Sequence, residues 1–126
     1  MRSRPDAGYS VLEAAITLPV MILLTMIIVQ WAIVWHARSV AQAAAQEALR
    51  TAEGYQSTAA AGHADAVNFL KQTAPHALPN AVVTVDRGPS TVTVHVHAKV
   101  MSVIPFGDYS VDASASGRIE IFVDSP

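Results

Sequence analysis

Residues 11–35 read VLEAAITLPVMILLTMIIVQWAIVW. From Ala14 to Trp35 the run holds 22 residues without one Asp, Glu, Lys or Arg. A helix rises about 1.5 Å per residue, so this run spans about 33 Å, enough to cross a bilayer core of roughly 30 Å. The polar members, Thr17, Thr25 and Gln30, are uncharged and tolerable there. Pro19 is the expected site of a kink, which membrane helices accept more readily than soluble ones. Trp31 and Trp35 stand at the far end of the run, where indoles favour the headgroup interface. A buried helix of a soluble protein is the competing reading, and the length and flanks of the run argue against it.

On the N-terminal side lies MRSRPDAG, residues 1–8, short, polar and basic through Arg2 and Arg4. Pro5 and Gly8 argue against a stable helix here. Arg38 flanks the other end of the run. The excess of positive charge before the span places the N-terminus in the cytoplasm and residues 36–126 outside.

On the C-terminal side the helix is expected to continue through His36–Glu53. Ala37, Ala41, Ala44, Ala48 and Ala52 form a small-residue stripe at spacings of three and four. Arg38, Gln42, Gln46, Arg50 and Glu53 form the opposing polar stripe, which is amphipathic helix patterning. Such an alanine stripe permits close packing against a sheet or a second helix. Gly54 is the expected C-terminal cap. A shorter helix fits His63–Thr73, with Ala66, Val67, Phe69 and Leu70 as its apolar side and Pro75 and Pro79 as its stops.

The period then changes to two. Val83 and Val85 alternate with Thr84 and Asp86, and Gly88-Pro89 marks a turn. In TVTVHVHAKV, residues 91–100, Val92, Val94, Val96, Ala98 and Val100 share one face. Thr91, Thr93, His95, His97 and Lys99 share the other. PFGDY, residues 105–109, turns the chain. A last strand carries Val111, Ala113 and Ala115 on one face, with a bulge expected at Gly117 that shifts the register before Ile119, Ile121 and Val123. The fold class is α+β: a long transmembrane-plus-amphipathic helix laid on a small antiparallel sheet.

The composition agrees with one small domain joined to a span. The chain has 126 residues, 52% of them apolar and only 14% charged, where soluble domains carry about 25%. With no cysteine, disulfide and thiolate chemistry are excluded. A net charge of -2 shows no basic surplus and argues against nucleic acid as a partner.

One residue is out of place. Glu13 lies just inside the apolar segment, and a charge in a membrane helix costs about 2.5–3.5 kcal/mol on insertion scales, less near the interface. If the chain is cut after Gly8, Tyr9 gains an α-amino group, protonated near neutral pH. Glu13 is four residues on, one helical turn away. It can then pair with that amine, or with the amine of a neighbouring subunit. Cutting turns a liability into an assembly contact.

A basic leader ending in Gly8, then Tyr9, then Glu13 at the fifth position, then an apolar helix, resembles the type IV prepilin processing site. The wider run LEAAITLPVMILLTMIIVQWAIVWHARSVAQAAAQEALRTA resembles the start of TadE-like proteins of the tight-adherence pilus system. Leu18-Pro19 matches that family's Leu-Pro and aliphatic run, and QEALR at 46–50 matches its REGAR-like element without the Gly. The tail from Thr91 to Phe122 resembles the family's closing strands. Ala14 departs from the Tyr that major pilins carry after the Glu, which, with the chain's length, favours a minor pseudopilin.

The resemblance implies a division into a prepilin-type leader, residues 1–8, a transmembrane helix, 9–35, and an extracytoplasmic α+β domain, 36–126. It implies a single-pass protein of the cell membrane. It implies a prepilin peptidase, other pilin or pseudopilin subunits and the pilus assembly platform as partners. Gly8, Tyr9 and Glu13 would serve processing and assembly.

Enzymatic readings find no support. His95-x-His97 lacks a third ligand nearby, and zinc needs three or four, so a solvated strand face is the better reading. Ser10, His36 and Asp6 are not positioned as a triad, and no phosphate loop or metal-binding helix motif is present. No catalysis, cofactor, metal or small-molecule substrate is expected. Two rival functions stand. A Sec-secreted domain would use AQA at 41–43 as its cleavage site, but the 22-residue run exceeds the 7–15 of such signals. A single-pass scaffold or sensing protein would keep residues 1–8 and leave Glu13 unexplained. The mature N-terminus separates them: Tyr9, near Ala44, or Met1 or Arg2.

Overall fold

The computed structural model describes residues 6–76, 78 and 80–120. Arg2, Arg4, Pro5 and Pro79, and Ile121 and Val123 of the expected last strand, lie outside the described residues. Two helices precede three strands: α1 (Asp6–Glu53), α2 (Ala59–Thr73), β1 (Val82–Arg87), β2 (Thr91–Val100) and β3 (Tyr109–Arg118). The strands form one antiparallel sheet in the order β1-β2-β3.

At 48 residues, α1 is about 72 Å long, and it runs through Pro19 as one helix. It has two halves with different surroundings. From Gly8 to Val29 no side chain is fully buried. From Ala37 onward the alanine stripe is wholly enclosed, with Ala37, Ala41, Ala44, Ala48 and Ala52 each fully buried. Small side chains let the helix axis lie close to the sheet, where Val92, Val94, Val96, Ala98 and Val100 present the buried face of β2. Val83, Val111, Ala113 and Ala115 extend this face onto β1 and β3. The expected period-two faces are those observed.

Four local expectations are corrected. The helix begins at Asp6 and so includes Gly8. A single Gly costs a helix only about 1 kcal/mol relative to Ala, too little to end one that propagates cooperatively from Tyr9 onward.

The second helix begins at Ala59, four residues before His63. Thr58 caps it by accepting a hydrogen bond from the Ala61 amide. Gly62 lies inside it for a packing reason. A Cβ there would stand 2.8 Å from the Ala48 carbonyl oxygen and 3.0 Å from the Ala52 Cβ, so only glycine lets α2 approach α1 so closely. The Thr51 hydroxyl adds a 2.5 Å hydrogen bond to Asp65 across the same crossing.

Gly54 follows α1 but is not a left-handed cap; the positive-φ residues described are Gln56, Asn80 and Gly107. The Gly54 amide donates to the Thr51 carbonyl at 3.3 Å, and tertiary donors serve the next two carbonyls. Arg87 donates to the Ala52 carbonyl at 3.1 Å and the Glu120 amide to that of Glu53 at 2.9 Å. A guanidinium at this end also complements the helix dipole.

No bulge forms at Gly117. The register runs unbroken from Val100↔Tyr109 to Thr91↔Arg118, with Gly117 opposite Val92. The glycine leaves room for the Glu53 side chain, which occupies the space a Cβ would take.

Candidate membrane and assembly site

The apolar half of α1 is long and apolar enough to cross a membrane, and none of that window is buried against the rest of the chain. Its large side chains, from Val11 and Leu12 to Ile28 and Val29, point outward. In water this would be an apolar surface with nothing to cover it. Thr25 is compatible with lipid because its hydroxyl donates to the Met21 carbonyl at 2.8 Å, within the helix. Trp31 and Trp35 are 71% and 72% exposed and stand where the apolar half gives way to the packed half.

Gly8, Tyr9 and Glu13 lie on the first turns of this bare helix. Nothing comes within 4 Å of the position a Gly8 Cβ would occupy, so no other element packs against Gly8 there. Tyr9 is exposed, and Glu13, one turn further, is exposed as well. Among the described residues no side chain of this chain pairs with the Glu13 carboxylate. The helix thus brings the three residues onto one short segment and leaves them open to a partner.

Sequence reading missed the role of Gln30, which it took as merely tolerable in the span. Gln30 is 2% exposed and is the buried polar side chain of the described residues. Its amide nitrogen donates to the Met101 carbonyl at 3.2 Å, and its oxygen accepts from the Val103 amide at 2.8 Å. One side chain therefore fastens the β2–β3 loop, residues 101–108, to the helix. The signal was present: an amide in a run of aliphatic residues needs partners. The partners were invisible because they lie more than seventy positions away.

On the outer face of the sheet, His95 and His97 are exposed and His97 contacts Asp112, its direct partner across the β2–β3 register. Among the described residues no three His, Cys, Asp or Glu side chains converge as a metal site would require. The arrangement is that of a solvated cross-strand pair.

The model of the TadE-like protein family matches residues 8–50. This segment is similar to that family. The match starts at Gly8 and ends at Arg50, so it takes in Glu13, Leu18-Pro19, the apolar half of α1 and most of the alanine stripe. The exposed apolar helix is compatible with a single-pass membrane anchor. No curated protein and no solved structure matches the chain.

Proposed function

We propose that this TadE-like chain is a minor pilin or pseudopilin that supports assembly of a tight-adherence pilus or a related secretion apparatus. In this reading a prepilin peptidase cuts between Gly8 and Tyr9. The N-terminus faces the cytoplasm, the span crosses the cell membrane, and the α+β domain lies outside. The protein acts by association with other pilin subunits and the assembly platform, not by catalysis, and needs no cofactor.

The observation that carries the reading is the bare helix start: nothing packed on Gly8, Tyr9 next to it, and Glu13 without a partner among the described residues, one turn into an apolar, exposed segment. After cleavage, the new Tyr9 ammonium is the cation this carboxylate lacks. Paired in low dielectric, each offsets part of the other's desolvation cost, and removing one leaves an uncompensated charge. Burial also weighs against a Sec-type cut after Ala43, which would strip the buried Ala37, Val40 and Ala41 from the core.

The test is the mature N-terminus in native membranes, read by mass spectrometry. Tyr9 is the expected first residue. Ala44, or Met1 or Arg2, would instead support the secreted or simple-anchor reading. Gly8→Leu should leave the precursor uncut, because a bulky side chain does not fit a site selective for glycine. Processing of this variant at the wild-type rate would overturn the assignment.

A further inference from the structure

We propose that the β2–β3 loop dips into the membrane leaflet on the domain's side of the span, with acyl chains covering its apolar tip. The inference rests on the reading of α1 as the membrane span, and not on cleavage after Gly8. Three observations carry it.

The first is depth. The loop does not stay beside the packed half of α1. Ile104, Pro105 and Phe106 reach down to Ile22, Met26 and Ile27, and together they line a groove of about 370 Å³ with walls that are almost wholly apolar. Ile27 and Ile22 lie four and nine residues before Trp31. Ile104 and Phe106 also border Trp31 and Val34, so the tip's surroundings extend from the level of the indole to about 6–14 Å down the helix axis, a range that includes the roughly 5–10 Å burial of interfacial segments.

The second is composition and exposure. Residues 100–107 read VMSVIPFG and carry no charge, while Lys99 and Asp108 bracket them. Met101, Val103 and Phe106 are exposed large apolar residues, Phe106 at 62%. A soluble domain would have little reason to hold an aromatic and its neighbours out from the tip of a turn, directly beside an apolar helix.

The third is backbone satisfaction, the strictest demand lipid makes on irregular structure. Gln30 satisfies the Met101 carbonyl and the Val103 amide, and the Ser102 hydroxyl donates to the Ile104 carbonyl at 2.8 Å. Pro105 has no amide to satisfy. Three backbone groups of the upper loop, the Met101 and Ile104 carbonyls and the Val103 amide, therefore have partners from within the protein.

Spin labelling tests this directly, since the chain has no cysteine of its own. Single variants Phe106→Cys, Leu24→Cys and Ala60→Cys of the full chain are labelled with a nitroxide. They are reconstituted into vesicles of phosphatidylcholine and phosphatidylglycerol. Leu24 and Ala60 are exposed positions on the span and on α2. The label at 106 should resemble that at 24: accessible to oxygen and shielded from an aqueous nickel chelate. The label at 60 should be open to the chelate.

Chelate access at 106 equal to that at 60, with 24 still shielded, would sink the loop proposal and leave the span intact. Shielding of 106 from both reagents would mean protein covers it, such as a second copy of the chain, and would also overturn the proposal. Chelate access at 24 would remove the span itself, and the loop proposal with it. In a Gln30→Leu background, the Met101 and Val103 groups lose their partners, so chelate access at 106 should rise while access at 24 stays unchanged. No change at 106 would show that Gln30 does not hold the loop down.

Discussion

Replacing Gly62 by alanine sets two opposing effects against each other, and their magnitudes decide the sign. In an open helix the change is favourable, because alanine is preferred over glycine by about 1 kcal/mol. At this position the new Cβ would meet the Ala48 carbonyl oxygen at 2.8 Å and the Ala52 Cβ at 3.0 Å. One neighbour is backbone and the other is the smallest possible side-chain atom, so neither can swing aside. The α1–α2 crossing must open by some tenths of an ångström, loosening Ala66 and Leu70, which are buried in the same layer. Overpacking of this kind costs about 1–3 kcal/mol. The expected net effect is a loss of roughly 1 kcal/mol after the propensity gain is subtracted. For a domain of this size that lowers the midpoint by about 4–8 °C. The assay is thermal unfolding of the full chain in detergent micelles, followed by circular dichroism. Ala64→Gly, at an exposed position two residues on, serves as the control and should also destabilise, by about 1 kcal/mol through propensity alone. The signature is therefore a reversal of the glycine–alanine order within one helix. If Gly62→Ala raises the midpoint, the crossing has slack and the account of why α2 contains a glycine is wrong.

Gly117→Ala should be close to neutral, within about 1 kcal/mol, because what meets the new Cβ is the end of the flexible Glu53 side chain, which can turn toward solvent; a loss above about 2 kcal/mol in the same unfolding assay would contradict this. Glu13→Gln should insert and be processed like wild type, yet crosslink more weakly to other pilus subunits in membranes; wild-type crosslinking would remove Glu13 from assembly. Protease added to spheroplasts should digest residues 36–126, and full protection beside a digested control protein would reverse the topology.

What could be read from the sequence was whatever repeats locally. The alanine stripe of α1 and the valine face of β2 each declare their period over ten or more residues, so their buried faces were identified residue by residue. Glycine was legible as punctuation only. Gly54 and Gly117 were read as a cap and a bulge, and Gly62 drew no reading at all. Two of them mark close approach to another element, and the cap was supplied by Arg87 and Glu120 instead. Close approach is a property of two segments at once, and no local pattern encodes it. The same holds for Gln30, whose partners are set by where a distant loop lands. Gly8, Tyr9 and Glu13, by contrast, needed only helical spacing to be brought together.

The division of α1 into two halves also bears on what Glu13 is for. Eleven exposed Leu, Ile and Val side chains lie between Val11 and Val29. On insertion scales each contributes about 0.3–0.6 kcal/mol at the bilayer centre, or roughly 3–7 kcal/mol together. The Glu13 penalty is at most about 2.5–3.5 kcal/mol, and less at the shallow end of the span. Insertion therefore tolerates an unpaired Glu13 and does not require a partner for it. Under the proposed processing, a carboxylate that insertion neither needs nor forbids would act afterwards, when helices carrying free Tyr9 amines meet in the membrane. In that reading Glu13 affects association between subunits and not anchoring. This is why Glu13→Gln separates the two, and why loss of the charge should leave the protein in the membrane but poorly joined to its neighbours.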